Sequence, residues 1–148
     1  PTPPLDRSSA ASDVYKRQEQ IAQMVRREGW EALTVPINRE FVHMDGLVVP
    51  LDEKLLVSCL DGLEPWVVDQ LKAWGFSFVD VPYSEAKNLG VNLVALGNHK
   101  VLSMQGANEL NAKMRALGFE VYDPDMSMFT LGGGGVHCLS QALCRDNV

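Results

Sequence analysis

The sequence has no apolar run approaching the roughly 20 residues that a membrane span requires. Its first residues show no basic-then-apolar secretory pattern. Cysteine is scarce: Cys59, Cys138 and Cys144 are the three present, and no two of them form a Cys-x-x-Cys pair. An odd count without a secretory pattern does not suggest a disulfide framework. A reducing, cytoplasmic setting is therefore the default expectation. No basic cluster stands out, and the net charge of -6 argues against a nucleic-acid partner. No membrane partner is expected, and oligomeric state is left open. An acidic balance mildly favours a cationic small substrate, although plain solubility explains it as well.

What is present suits a single globular domain. The chain has 148 residues, of which 46% are hydrophobic, enough to bury a real core. Residues 1–18 stand apart, with three prolines, three serines and almost no apolar periodicity. They are expected to be disordered, loosely attached or non-native. The stretch SSAASDVYKRQ resembles a translated adapter sequence, which would place the native start near Glu19 with an upstream part missing. Residues 19–148 would then be the folded portion.

That portion carries an internal repeat. MVRREGW at 24–30 leads to LTVP at 33–36. LKAWGF at 71–76 leads to VDVP at 79–82. MRALGF at 114–119 leads to VYDP at 121–124. Each copy reads as an amphipathic helix, a glycine, an aromatic and a short strand closed by proline. Basic residues near each helix end face the negative end of the dipole. Gly29, Gly75 and Gly118 supply the left-handed conformation at which a helix stops. Their separation in the forties is that of repeated supersecondary units. Between the helices, residues 46–50 and 54–60 form one predicted strand pair, and 92–96 and 100–104 another. The module order is strand, strand, helix, strand. Two modules are complete, and residues 136–143 are expected to open a further one.

Two segments stand apart from packing. In FVHMDG at 41–46, His43 and Asp45 alternate along an expected extended segment, so both would face one side. In LGGGGVHC at 131–138, four glycines precede Cys138. Such a run is costly in conformational entropy and suits backbone that passes close to something or exposes its N–H groups. A glycine-rich loop feeding a cysteine, with a separate histidine near carboxylates, suggests a nucleophile and a proton-transfer partner. A solvated polar pair and a buried structural cysteine are the plain alternatives.

The segments HMDGLVVPLDEKLLVS, NLVALG and MFTLGGGGVHCLSQAL resemble the guanidino-group-modifying, or pentein, superfamily of arginine deiminases, amidinotransferases and dimethylarginine dimethylaminohydrolases. The resemblance covers residues from Glu19 onward. It implies an α/β-propeller of ββαβ modules, of which this chain would be the C-terminal part. By resemblance, Cys138 is the nucleophile and His43 the general acid/base. Asp45 holds the substrate guanidinium, and Asn92, Gly134 and Gly135 lie against the substrate. No cofactor and no metal is implied. The partner is a small guanidinium compound, attacked to give a covalent amidino-thioether on cysteine. The second nucleophile is water in a hydrolase or deiminase and an amine in an amidinotransferase; the sequence leaves both open.

Residue chemistry agrees with that reading. A guanidinium is a delocalised cation with five N–H donors, which carboxylates bind through charge-assisted hydrogen bonds. Asp45 is the first candidate, with Glu40 and Glu85 behind it. Two rival readings remain. A zinc site could draw on His43, His137, Cys138 and Cys144, but adjacent His137 and Cys138 would face opposite sides of a strand. A non-catalytic ring-shaped binding module, or an inactive fragment, would leave Cys138 merely buried. Cys59 is expected in the core, and the methionine-rich stretch at 126–129 is expected to serve packing.

Overall fold

A computed structural model describes residues 7–143 of the chain. The chain divides into two compact units, Pro1–Pro36 and Ile37–Val148.

The first unit is dominated by helix α1, Arg7–Arg27. Arg26 and Arg27 occupy its last turn, where cations complement the helix dipole. Gly29 follows at φ 83°, and Trp30 N–H donates to the Val25 carbonyl at 3.3 Å. Residues 7–18, expected to be loose, form the first half of this helix, and no element boundary separates 18 from 19. Residues 1–6 lie outside the described residues.

The second unit contains two copies of one module. In the first, strands β1 (Val48–Asp52) and β2 (Leu55–Ser58) precede helix α2 (Pro65–Ala73) and strand β3 (Ser77–Asp80). A short helix α3 (Tyr83–Lys87) leads to the second, formed by β4 (Val94–Gly97), β5 (Lys100–Leu102), α4 (Asn108–Ala116) and β6 (Glu120–Tyr122). The four-residue helix α5 (Ser127–Thr130) follows. In both modules the first two strands pair antiparallel, and the third returns parallel to the second. A parallel return needs a crossover, which α2 and α4 provide. The result is a mixed α/β fold with two three-stranded sheets, ordered β1-β2-β3 and β4-β5-β6. Among the described residues the sheets do not close into a ring.

The helix stops are the same in each copy. After α2, Gly75 N–H donates to the Lys72 carbonyl at 2.9 Å and Phe76 N–H to Leu71 at 3.1 Å. After α4, Gly118 donates to Arg115 at 3.0 Å and Phe119 to Met114 at 3.0 Å. This paired reverse bonding is the Schellman motif, which needs a left-handed residue at C′. Gly75 and Gly118 supply it, at φ 83° and 88°.

The core takes one face of each element. Leu47, Val57, Val67, Val81, Leu93, Val101, Leu110 and Met114 are fully buried. Each contributes on the order of 1.5–3 kcal/mol by leaving water. Leu110 and Met114 lie one turn apart on α4, and α4 meets β3, which ties the two modules together. Cys59 is buried in this core, as its apolar strand predicted.

Several expectations are corrected. Residues 136–143 form no strand: 136–139 fold as a turn, in which Leu139 N–H bonds the Gly135 carbonyl at 3.1 Å. The alternation of His137 and Cys138 across a strand, invoked against zinc, therefore does not exist. Met44–Gly46 is a 3-10 turn, so His43 and Asp45 are not neighbours on one strand face. Met128 and Phe129 are exposed rather than packed, because a single helical turn has little face to bury.

Gly118→Ala should destabilise the second unit by about 1 kcal/mol, since a side chain at φ 88° is strained although the space around it is open. Gly106, with equally open space and no left-handed φ, is the control. Thermal melting of the two alanine variants should show a loss of a few degrees in the first and near-neutrality in the second.

Candidate active site

The starts of the two modules converge with the turn at 136–139. The 3-10 turn before β1 presents Asp45, the two residues before β4 include Asn92, and the turn after the glycine run presents Cys138. None of the three sits in a strand or long helix. Asp45 and Asn92 are placed by the strands that follow them, and Cys138 by its turn and the bond of its N–H to Asn92.

Asp45 Oδ2 is the meeting point. It accepts from Asn92 Nδ2 at 3.0 Å, lies 3.0 Å from His137 Nδ1 and accepts from Cys138 Sγ at 3.4 Å. Asn92 Nδ2 also donates to Cys138 Sγ at 3.2 Å. Asn92 Oδ1 accepts the backbone N–H groups of His137, at 3.1 Å, and Cys138, at 3.2 Å. Asp45 Oδ1 makes no hydrogen bond among the described residues and remains a free acceptor.

Asp45, His43 and Cys138 line one cavity of roughly 420 Å³ with Glu40, Lys87 and Gly133. Cys138 is exposed, so its sulfur is accessible rather than sealed in hydrocarbon. His43 is exposed, and its ring makes no hydrogen bond among the described residues. Gly134, Gly135 and Asn92 do not line the cavity. Gly135 has a different role: a Cβ there would sit 2.4 Å from Asn92 Oδ1, so only glycine lets the chain pass that amide. Among the described residues, no group of three or more His, Cys, Asp or Glu could hold a metal ion.

A family model described as N,N dimethylarginine dimethylhydrolase, eukaryotic, matches residues 8–145. The chain belongs to this family.

Solved structures share the fold of this dimethylarginine dimethylhydrolase family member. The N-terminal domain of ArgZ, an arginine dihydrolase from the ornithine-ammonia cycle in cyanobacteria, matches at TM-score 0.68 and 20% identity, over 79% of this chain and 44% of that one. DDAH from Pseudomonas aeruginosa, in a mutant complexed with citrulline, matches at 0.65 and 19%, over 82% and 44%. SxtG, an amidinotransferase from Microseira wollei in the saxitoxin biosynthetic pathway, matches at 0.67 and 16%, over 86% and 39%. At such identities the likeness is one of fold. Pentein membership, expected from the motifs, thus stands on both a family match and fold relatives.

The chain spans less than half the length of the curated relatives it matches. It covers 38% of the uncharacterized protein YkgA of Bacillus subtilis (strain 168), with 25% identity over 111 residues. It covers 46% of an uncharacterized Aeropyrum pernix protein, with 27% identity over 128 residues. No helix among the described residues is long and apolar enough to cross a membrane.

The contacts at the rim of this family member's cleft were not expected from the sequence. Tyr83 Oη donates to Glu40 Oε2 at 2.6 Å, and Lys87 Nζ pairs with Glu40 Oε1 at 3.1 Å. The Tyr83 hydroxyl first, then Lys87, holds the Glu40 carboxyl below its ordinary 4.5. The same bond pushes the Tyr83 phenol up. Glu40 is therefore engaged by a hydroxyl and a cation, which weakens it as a guanidinium ligand. Glu85 is likewise engaged, accepting the backbone N–H groups of Glu109 at 2.6 Å and Leu110 at 3.2 Å at the start of α4. No local pattern marked either contact, because each joins residues more than 20 positions apart. His137 matched a motif position without a role, and the fold sets its ring on Asp45. Cys144 lies outside the described residues.

A folded carboxyl held low stabilises the fold fully above its ordinary range and ceases to do so as pH falls through the lowered value. Tyr83→Phe removes the leading cause of that lowering. Carboxyl carbon NMR should then find Glu40 titrating closer to 4.5 than in the parent protein. An unchanged titration would show that the phenol is not the cause.

Proposed function

We propose that this chain carries the nucleophilic half of a hydrolase that acts on an arginine-like guanidinium compound. One observation carries the reading: the Cys138 sulfur lies 3.4 Å from the Asp45 carboxylate, on a cavity that His43 also lines. Family membership supports it independently.

Asp45 offers Oδ1 to a guanidinium N–H, while Oδ2 stays engaged with the protein. That bond brings the electron-poor guanidinium carbon next to Cys138. His43 takes the Cys138 proton, the resulting thiolate attacks this carbon, and the carbon–nitrogen bond to the departing amine breaks as His43 passes the proton to that nitrogen. The product of this half-reaction is an amidino-thioether on Cys138. His43, now neutral, takes a proton from water as its oxygen attacks the same carbon. The carbon–sulfur bond breaks, releasing a urea-type product and regenerating the cysteine. The exposure of Cys138 and the hydrolase family match favour water over an amine as the second nucleophile.

In the intact protein, Cys138→Ala should abolish turnover, and His43→Ala should lower kcat by about 10²–10⁴-fold. A haloacetamidine, which carries the substrate's cationic head, should label Cys138 and spare buried Cys59, whose thiol burial pushes up. Retained turnover in the Cys138 variant, or labelling that ignores an added guanidinium compound, would rule out this mechanism. Product analysis then separates ammonia or a methylated amine from a transferred amidine.

A further inference from the structure

Asn92 is buried, at 1% exposure, directly beneath the cleft. A carboxamide can make four hydrogen bonds, two accepted by oxygen and two donated by nitrogen. Here all four are made within the protein. Oδ1 takes the N–H groups of His137 and Cys138, and Nδ2 gives to Asp45 Oδ2 and Cys138 Sγ. The amide's orientation is fixed by this arrangement. Rotated by half a turn, its NH₂ would meet two N–H donors, and its oxygen would meet a carboxylate and a sulfur.

We propose that Asn92 is a positioning residue that fixes the Cys138 sulfur beside the Asp45 carboxylate and favours the thiolate, and that it binds no substrate atom. This replaces the substrate contact expected from the sequence, and it rests on Cys138 being the nucleophile. A donor at 3.2 Å stabilises a sulfur anion. The same Nδ2 draws on the charge of Asp45, which would otherwise oppose ionisation of its neighbour. The N–H groups spent on Oδ1 are those of His137 and Cys138, just past the glycine run, while Gly132 and Gly133 N–H bond the Phe129 and Thr130 carbonyls. Gly135 is part of the device, since any larger residue would push the amide aside.

The test uses the full chain and iodoacetamide, with alkylation at Cys138 read on its own peptide so that Cys59 and Cys144 do not contribute. Iodoacetamide has no guanidine group, so the result does not depend on the substrate reading. Asn92→Asp keeps the acceptor for both backbone N–H groups and replaces the donor with a carboxylate. Its Cys138 should alkylate about tenfold more slowly at neutral pH, with the whole pH profile displaced upward. Gly135→Ala, which displaces Asn92 without adding charge, should move the profile in the same direction. A parental rate and profile in either folded variant overturns the proposal. Should neither variant fold, the parent protein decides. Its Asn92 side-chain amide protons should exchange slowly with solvent and shift when Cys138 is alkylated. Rapid exchange without that shift overturns the proposal equally.

Discussion

The geometry of the cleft depends on one amide. Asn92 joins a loop before β4, a 3-10 turn before β1 and a glycine-rich turn near the end of the chain, regions separated by more than 40 positions from one another. The thiol donates weakly to the carboxylate at 3.4 Å, and the amide fixes both partners by bonding each of them at 3.0–3.2 Å. The bridge works because it is buried and saturated. A buried carboxamide with an unmet donor or acceptor would cost more than it contributes. Leaving the arrangement would strand such a group, so the low-dielectric surroundings hold it in place.

The modules supply the rigidity behind that bridge. Each ends its helix on a left-handed glycine and returns a strand parallel to the second of its hairpin. Asp45 and Asn92 stand at module starts and Cys138 in a turn, where no ladder claims their backbone. Packing of α4 against β3 keeps the two starts in fixed relation. A cleft of this kind gains chemistry from loops and precision from the sheets below them.

Much of this was legible in the sequence, and particular residues show why. The glycines at 29, 75 and 118 announced helix ends because left-handed backbone is a local demand that few residues meet. Cys138, His43 and Asp45 stood out because nucleophile, imidazole and carboxylate are rare together beside a glycine run. The assignment of 136–143 as a strand failed for a physical reason. Val136 and Leu139 have strand-like propensity, but Asn92 Oδ1 draws two successive N–H groups to one point, which an extended chain with alternating N–H directions cannot satisfy. The strand-face pairing of His43 and Asp45 failed because Gly46 closes a 3-10 turn onto the His43 carbonyl.

Sequence alone therefore determined what was local: the ββαβ order, the helix stops, the apolar faces that form the core and the residue types able to do guanidinium chemistry. Tertiary structure decided which of those residues meet. It gave Asn92 and Gly135 to the support of the nucleophile, engaged Glu40 with Tyr83 and Lys87, and turned His137 toward Asp45. Those assignments are hydrogen bonds between distant segments. Their energies depend on burial and on distances of about 3 Å, which exist only once the chain has packed.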